Sequence, residues 1–162
     1  MKHLFDARTL QRVINALVFS KLYYCSPVWS NTSKKNISKL QKVHNFACRK
    51  RKFDHITPVL RELKWLPVTS FLKYTLGVLA FKCVKGLAPS YLCRRFKTHA
   101  SVHNRNTRYK NTLNIPAYKS ASGQRTFLYR ATSFWNSLPC EIRECNNLPI
   151  FRRLLKEFLT SF

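Results

Sequence analysis

The sequence predicts a mainly α-helical protein of about six helices around an aromatic-rich core, set out as two loosely joined helical halves. Three observations predict this fold class. Apolar residues recur at spacings of three and four along most of the chain, the mark of an amphipathic helix. Helix-starting Ser, Thr and Asp and helix-ending Gly and Pro punctuate those stretches. Hydrophobic residues make up 45% and aromatics 14% of the 162 residues, including 12 Phe and 3 Trp, which is material for a core rather than for a disordered basic tail.

From Leu10, the positions Val13, Ile14, Leu17, Val18 and Leu22 fall on helical spacing and Asp6 stands where a cap would, so a helix over about 7–24 is expected. The segment Tyr23-Tyr24-Cys25-Ser26-Pro27-Val28-Trp29 breaks it, because Pro27 disfavours helix in the residue before it; its aromatics are expected to pin the turn into a core. A second helix is expected from Thr32 or Ser33 to about Arg51. Ile37, Leu40, His44 and Ala47 share one of its faces, and Lys35, Lys39, Lys42 and Arg49 share the other. Thr57-Pro58 reads as a cap and first-turn proline opening a short helix through Leu63, and Trp65-Leu66-Pro67 as a buried hinge. A long helix over about 68–85 ends at Gly86, which tolerates the left-handed turn at a helix terminus. Ala88-Pro89 starts a short turn of helix to Phe96.

Between Lys97 and Ser122 the apolar periodicity lapses and His, Asn, Thr and Ser dominate, so 97–122 is expected to be a polar, basic linker or loop between a helical region 1–96 and a helical region 123–162. In the last region Phe127, Ala131, Phe134 and Trp135 recur at helical spacing over 124–138. A final helix from Leu148 turns Phe151, Leu154, Leu155, Phe158 and Leu159 inward and Arg152, Arg153, Lys156 and Glu157 outward.

Charge narrows the partner. Thirty Lys and Arg stand against six Asp and Glu, a net charge of +24, and no acidic residue occurs between Glu62 and Glu141. Such an imbalance repels itself in a compact fold unless a polyanion supplies counter-charge, and RNA or DNA backbone is the leading candidate. The sharpest basic surface is 34–52, with eight Lys and Arg and no acid. Lys35, Lys39, Lys42, Arg49, Lys50, Arg51 and Lys52 are the leading phosphate contacts, followed by Arg94, Arg95, Arg105, Arg108 and Arg125. Phe46 beside the basic face is a candidate for stacking on a base or for packing on the next helix. Trp29, Trp65 and Trp135 are expected in the core.

Other chemistries fit poorly. Two-metal catalysis needs two or three carboxylates gathered together, and the six acids are scattered, with Glu141 and Glu144 the one local pair. His3, His44, His55, His99 and His103 sit in basic or loop contexts with no triad, and three glycines make no phosphate-cradling loop. The cysteines Cys25, Cys48, Cys83, Cys93, Cys140 and Cys145 lack zinc-site spacing and read as core thiols; His99 and His103 read as solvated. No cofactor and no metal are expected. The longest apolar stretch, 68–84, is interrupted by Lys73 and Lys82, so no membrane span is expected. Met1-Lys2-His3 opens no secretory signal, so an intracellular location, nucleus or cytoplasm, is expected.

Several phrases then form a set. They are Lys21-Leu22-Tyr23-Tyr24-Cys25-Ser26-Pro27-Val28-Trp29, Lys39-Leu40-Gln41-Lys42-Val43-His44-Asn45, Leu63-Lys64-Trp65-Leu66-Pro67-Val68, Lys85-Gly86-Leu87-Ala88-Pro89-Ser90-Tyr91-Leu92, Ser122-Gly123-Gln124-Arg125-Thr126-Phe127 and Phe134-Trp135-Asn136-Ser137-Leu138-Pro139, ending in Phe151-Arg152-Arg153-Leu154-Leu155-Lys156. In this order, over about 10–160, they resemble the C-terminal region of the reverse transcriptase of non-LTR (LINE-type) retrotransposons, on the jockey-like and chicken-repeat side. The resemblance implies a thumb-distal helical piece of an RNA-directed DNA polymerase that grips template or primer through phosphates. The family's catalytic Asp-Asp motif lies upstream of the matched region and has no counterpart here, and the Cys/His knuckle of some clades is not matched. The expectation is therefore a non-catalytic, sequence-nonspecific nucleic-acid-associating fragment; the alternative is an inert remnant or interaction piece that packs on a missing polymerase core.

Overall fold

The computed structural model describes residues 7–48, 56–63, 65–102 and 112–160. The chain divides into two compact units, Met1–Pro67 and Val68–Phe162. Regular structure among the described residues is helical, apart from one isolated antiparallel bridge between Thr98 and Leu113. The mainly α class read from the sequence is the class observed.

The first helical stretch of this unit opens with α1 (Ala7–Ile14), continues through a π-turn (Asn15–Phe19) and ends with α2 (Ser20–Leu22). The Ser20 N–H bonds to the Asn15 carbonyl, five residues back, so this turn holds one residue more than an α-turn. That extra residue rotates the inward face. Phe19 is buried, while Leu17, expected inside, is 66% exposed and Val13 is also exposed. The expected cap at Asp6 lies outside the described residues.

Cys25 then adopts a left-handed conformation (φ 49°) that reverses the chain into the one-turn helix α3 (Ser26–Trp29), with Pro27 in its first turn. Trp29 Nε1 donates to the Tyr24 carbonyl at 2.8 Å. Tyr24 is exposed and contributes its carbonyl rather than its ring, whereas half-buried Tyr23 meets Phe19 with ring centroids 5.4 Å apart, so the expected pinning of the turn falls to Tyr23 and not to Tyr24.

Ser33 caps α4 (Lys34–Ala47), its Oγ accepting from the Asn36 N–H at 3.3 Å. The helix α5 (Ile56–Glu62) takes in Thr57 and Pro58, so Thr57 lies within the first turn rather than at the cap. The core of this unit is an aromatic cluster. Phe19 stacks on His44 with centroids 4.8 Å apart and 13° between planes, and Trp65 meets Phe19 edge-on at 4.8 Å and His44 at 5.8 Å.

The second unit is built on α6 (Val68–Val84). Its end is a Schellman motif: the Leu87 N–H reaches the Lys82 carbonyl at 2.7 Å, the Gly86 N–H reaches Cys83 at 3.4 Å, and Gly86 holds φ 71°. Next come α7 (Ser90–Cys93), α8 (His99–Val102), α9 (Ala121–Gln124), α10 (Phe127–Ser137), α11 (Cys140–Arg143) and α12 (Leu148–Thr160). Both α10 and α12 pack on α6. Phe81 lies 4.4 Å from Phe151, which lies 5.8 Å from Trp135. All three are buried, each contributing on the order of 2 kcal/mol of apolar transfer. The inward Phe151, Leu155 and Leu159 and the exposed Arg152, Arg153 and Lys156 of α12 match its sequence pattern.

The stretch 97–122 lies inside this second unit, and the division of the chain falls at Pro67–Val68 instead. Its polar composition suggested a linker, yet its described ends are tied by main-chain bonds. The His99 N–H donates to Thr112 at 2.9 Å and the Asn114 N–H to Lys97 at 2.8 Å. Leu113 is 1% exposed.

Candidate nucleic-acid interface

The helix α4 carries the clearest candidate site, and its orientation follows from what it buries. His44 is 1% exposed, with Ile37 and Leu40 half-buried on the same face. At 100° per residue, Lys35, Lys39 and Lys42 project about 180° away from His44, and all three are exposed. They stand at i, i+4 and i+7, a single stripe spanning about 10 Å of the helix axis. Phe46, at i+11, continues the same stripe and is 86% exposed.

Electrostatics make this stripe costly in isolation. Lys34 and Lys35 occupy the first turn of α4 with no acidic residue beside them, facing the positive end of the helix dipole. Lys35 and Lys39, then Lys39 and Lys42, are like-charge neighbours on one face. No acidic residue occurs in the sequence between Asp6 and Asp54. Each term is a few tenths of a kcal/mol, and a bound polyanion would offset them by supplying opposite charge.

His44 adds no charge to the patch. Burial against Phe19 and Trp65 pushes its pKa down to about 4, so the ring is neutral near pH 7. Burial likewise pushes the Cys48 thiol up to about 11; its Sγ lies 3.9 Å from His44 Nδ1. Cys83 is also pushed up to about 11, by burial first and then by Cys93.

In the second unit Arg94 and Arg95 close α7, and Arg125 follows α9; all are exposed. The edge-on contact of Phe96 with Phe127, centroids 6.0 Å apart, draws these two chain segments together. Tyr91, 72% exposed, precedes the arginine pair by one helical turn. Tyr91 is not among the candidate site residues singled out from the sequence; an aromatic three and four residues before paired arginines is its signal there. Arg49, Lys50, Arg51, Lys52, Arg105 and Arg108 lie outside the described residues, as does His103.

Among the described residues no three His, Cys, Asp or Glu side chains gather in a way that would hold a metal ion. Nor is any helix among them long and apolar enough to cross a membrane. The described acids Glu62, Glu141, Glu144 and Glu157 are all exposed. Trp135 is buried, and Trp29 and Trp65 are half-buried. Comparison with protein-family models, curated proteins and solved structures finds no match to this chain.

Proposed function

We propose that this chain is a non-catalytic, sequence-nonspecific nucleic-acid-associating piece, related to the C-terminal region of LINE-type reverse transcriptases, that grips phosphates through α4. The observation that carries the reading is the exposed stripe Lys35, Lys39 and Lys42 on the face opposite His44, in a chain of net charge +24. Lysines set along one face position a phosphate backbone without reading bases, so little sequence preference is expected. The family relationship rests on the ordered sequence phrases alone.

The test is fluorescence anisotropy of the full chain with a labelled RNA hairpin, an RNA–DNA hybrid and single-stranded DNA across about 50–300 mM salt. Binding to all three with a steep log–log salt slope is expected. The pair Lys39→Glu and Lys42→Glu should weaken every probe and flatten the slope by about one per lysine lost. A folded chain that binds none of the probes, or a charge-reversed chain that binds as well as the parent, overturns the proposal.

A second reading rests on the exposed Leu17, Tyr24 and Val28 of the first unit. Large apolar side chains left outside suit a protein-interaction piece that packs on a polymerase core. Failure of all polyanion binding by a folded chain favours it.

A further inference from the structure

Phe46 is the most exposed large apolar residue among the described residues, at 86%, and its position is what gives that exposure meaning. It stands one turn beyond Lys42 on the line of Lys35, Lys39 and Lys42, directed away from the Phe19, His44 and Trp65 cluster that anchors the helix. Phe46 adds nothing visible to that core. An aromatic ring that ends a row of ammonium groups on one helix face combines the two parts that hold an unpaired strand, cations for its phosphates and a flat apolar surface for a base.

Resting on the nucleic-acid reading of α4, we propose that its preferred ligand is a single strand, RNA or DNA, with one unpaired base stacked on Phe46 and the flanking phosphates on Lys42 and Lys39. A duplex presents phosphates to the lysines but keeps its base faces covered, so it gains nothing from Phe46. The ring lies about 6 Å along the axis from Lys42 and about 10 Å from Lys39 at about 1.5 Å per residue. Those separations are of the order of one and two nucleotides of extended strand. Stacking is tolerant of base identity because every base has a π-face, which agrees with a grip that does not read sequence.

The experiment compares four labelled probes on the full chain: a single-stranded DNA, the matching single-stranded RNA, the DNA duplex, and a single strand of abasic sugar-phosphate units of equal length. The parent chain should bind both base-bearing single strands between about fivefold and about a hundredfold more tightly than the abasic strand. Phe46→Ala should erase that difference while leaving the abasic strand and the duplex bound as before. Phe46→Trp should keep it, with indole fluorescence quenched by base-bearing strands and not by the abasic one. Lys39→Glu and Lys42→Glu should weaken all four probes together.

Equal binding of abasic and base-bearing strands by the parent chain overturns the stacking proposal while the phosphate grip stands. So does a Phe46→Ala chain that keeps its preference for bases. Loss of binding to every probe by the parent chain removes the grip itself, and the stacking proposal with it.

Discussion

Asn136 holds the main chain of Leu113 at both of its polar atoms: its Nδ2 donates to the Leu113 carbonyl at 2.8 Å, and its Oδ1 accepts from the Leu113 N–H at 2.9 Å. A side-chain amide thereby acts as an extra strand edge opposite the face of Leu113 that pairs near Thr98. Asn136→Ala should cost about 2 kcal/mol, because two hydrogen bonds are lost and a buried backbone segment is left unpaired. The check is urea unfolding together with amide exchange at Leu113, which should accelerate more than exchange in α12.

At Gly77 a side chain has nowhere to go. A Cβ there would sit 2.8 Å from Phe134 Cε1 and 2.9 Å from Leu155 Cδ2, and Leu155 is fully buried. Gly77→Ala should destabilise the second unit by about 1–2 kcal/mol, overpacking outweighing the better helix propensity of alanine. Thermal unfolding checks the sign, which propensity alone would reverse.

His44 makes the first unit sensitive to acid. Its folded pKa of about 4 lies below the ordinary 6.5, so the folded state binds the proton more weakly than the unfolded chain. Its contribution is intact above pH 6.5 and is lost as the pH falls from 6.5 through 4, by up to about 3 kcal/mol. Urea unfolding at a series of pH values should show this loss, and His44→Phe should flatten it over that window.

Cys25 holds φ 49°, a conformation that costs a residue with a Cβ about 1 kcal/mol or more. The side chain is exposed, so replacing it removes no core contact. Cys25→Gly should raise stability by about 0.5 kcal/mol after the added backbone entropy of glycine is offset. A small upward shift in the unfolding midpoint is the expected result.

The sequence made α6 and α12 legible because each carries its signal locally, Gly86 at one end of α6 and an inward row of Phe151, Leu155 and Leu159 in α12. His44 on the buried face of α4 was legible for the same reason, and that face sets the direction of the lysine stripe. In the stretch 97–122 the ties at its described ends come from Asn136 and from pairing of 97–99 with 112–114, partners more than a dozen residues away that leave no periodic trace in the sequence. The exposure of Leu17 was hidden by the π-turn, since a wheel drawn at a constant angle cannot register one added residue.

That added residue makes the first helix unusual in what it can lose. Deleting one residue from a regular helix throws everything on one side of the cut about 100° out of register with the other. Here the segment between Ile14 and Phe19 spans five residues where an ordinary turn spans four, and Ile14 is already half-buried on the approach to Phe19. Removing Ala16 or Leu17 would close the wide turn into an α-turn and keep Ile14 one turn before Phe19. Length variation, normally confined to loops, has a foothold inside this helix.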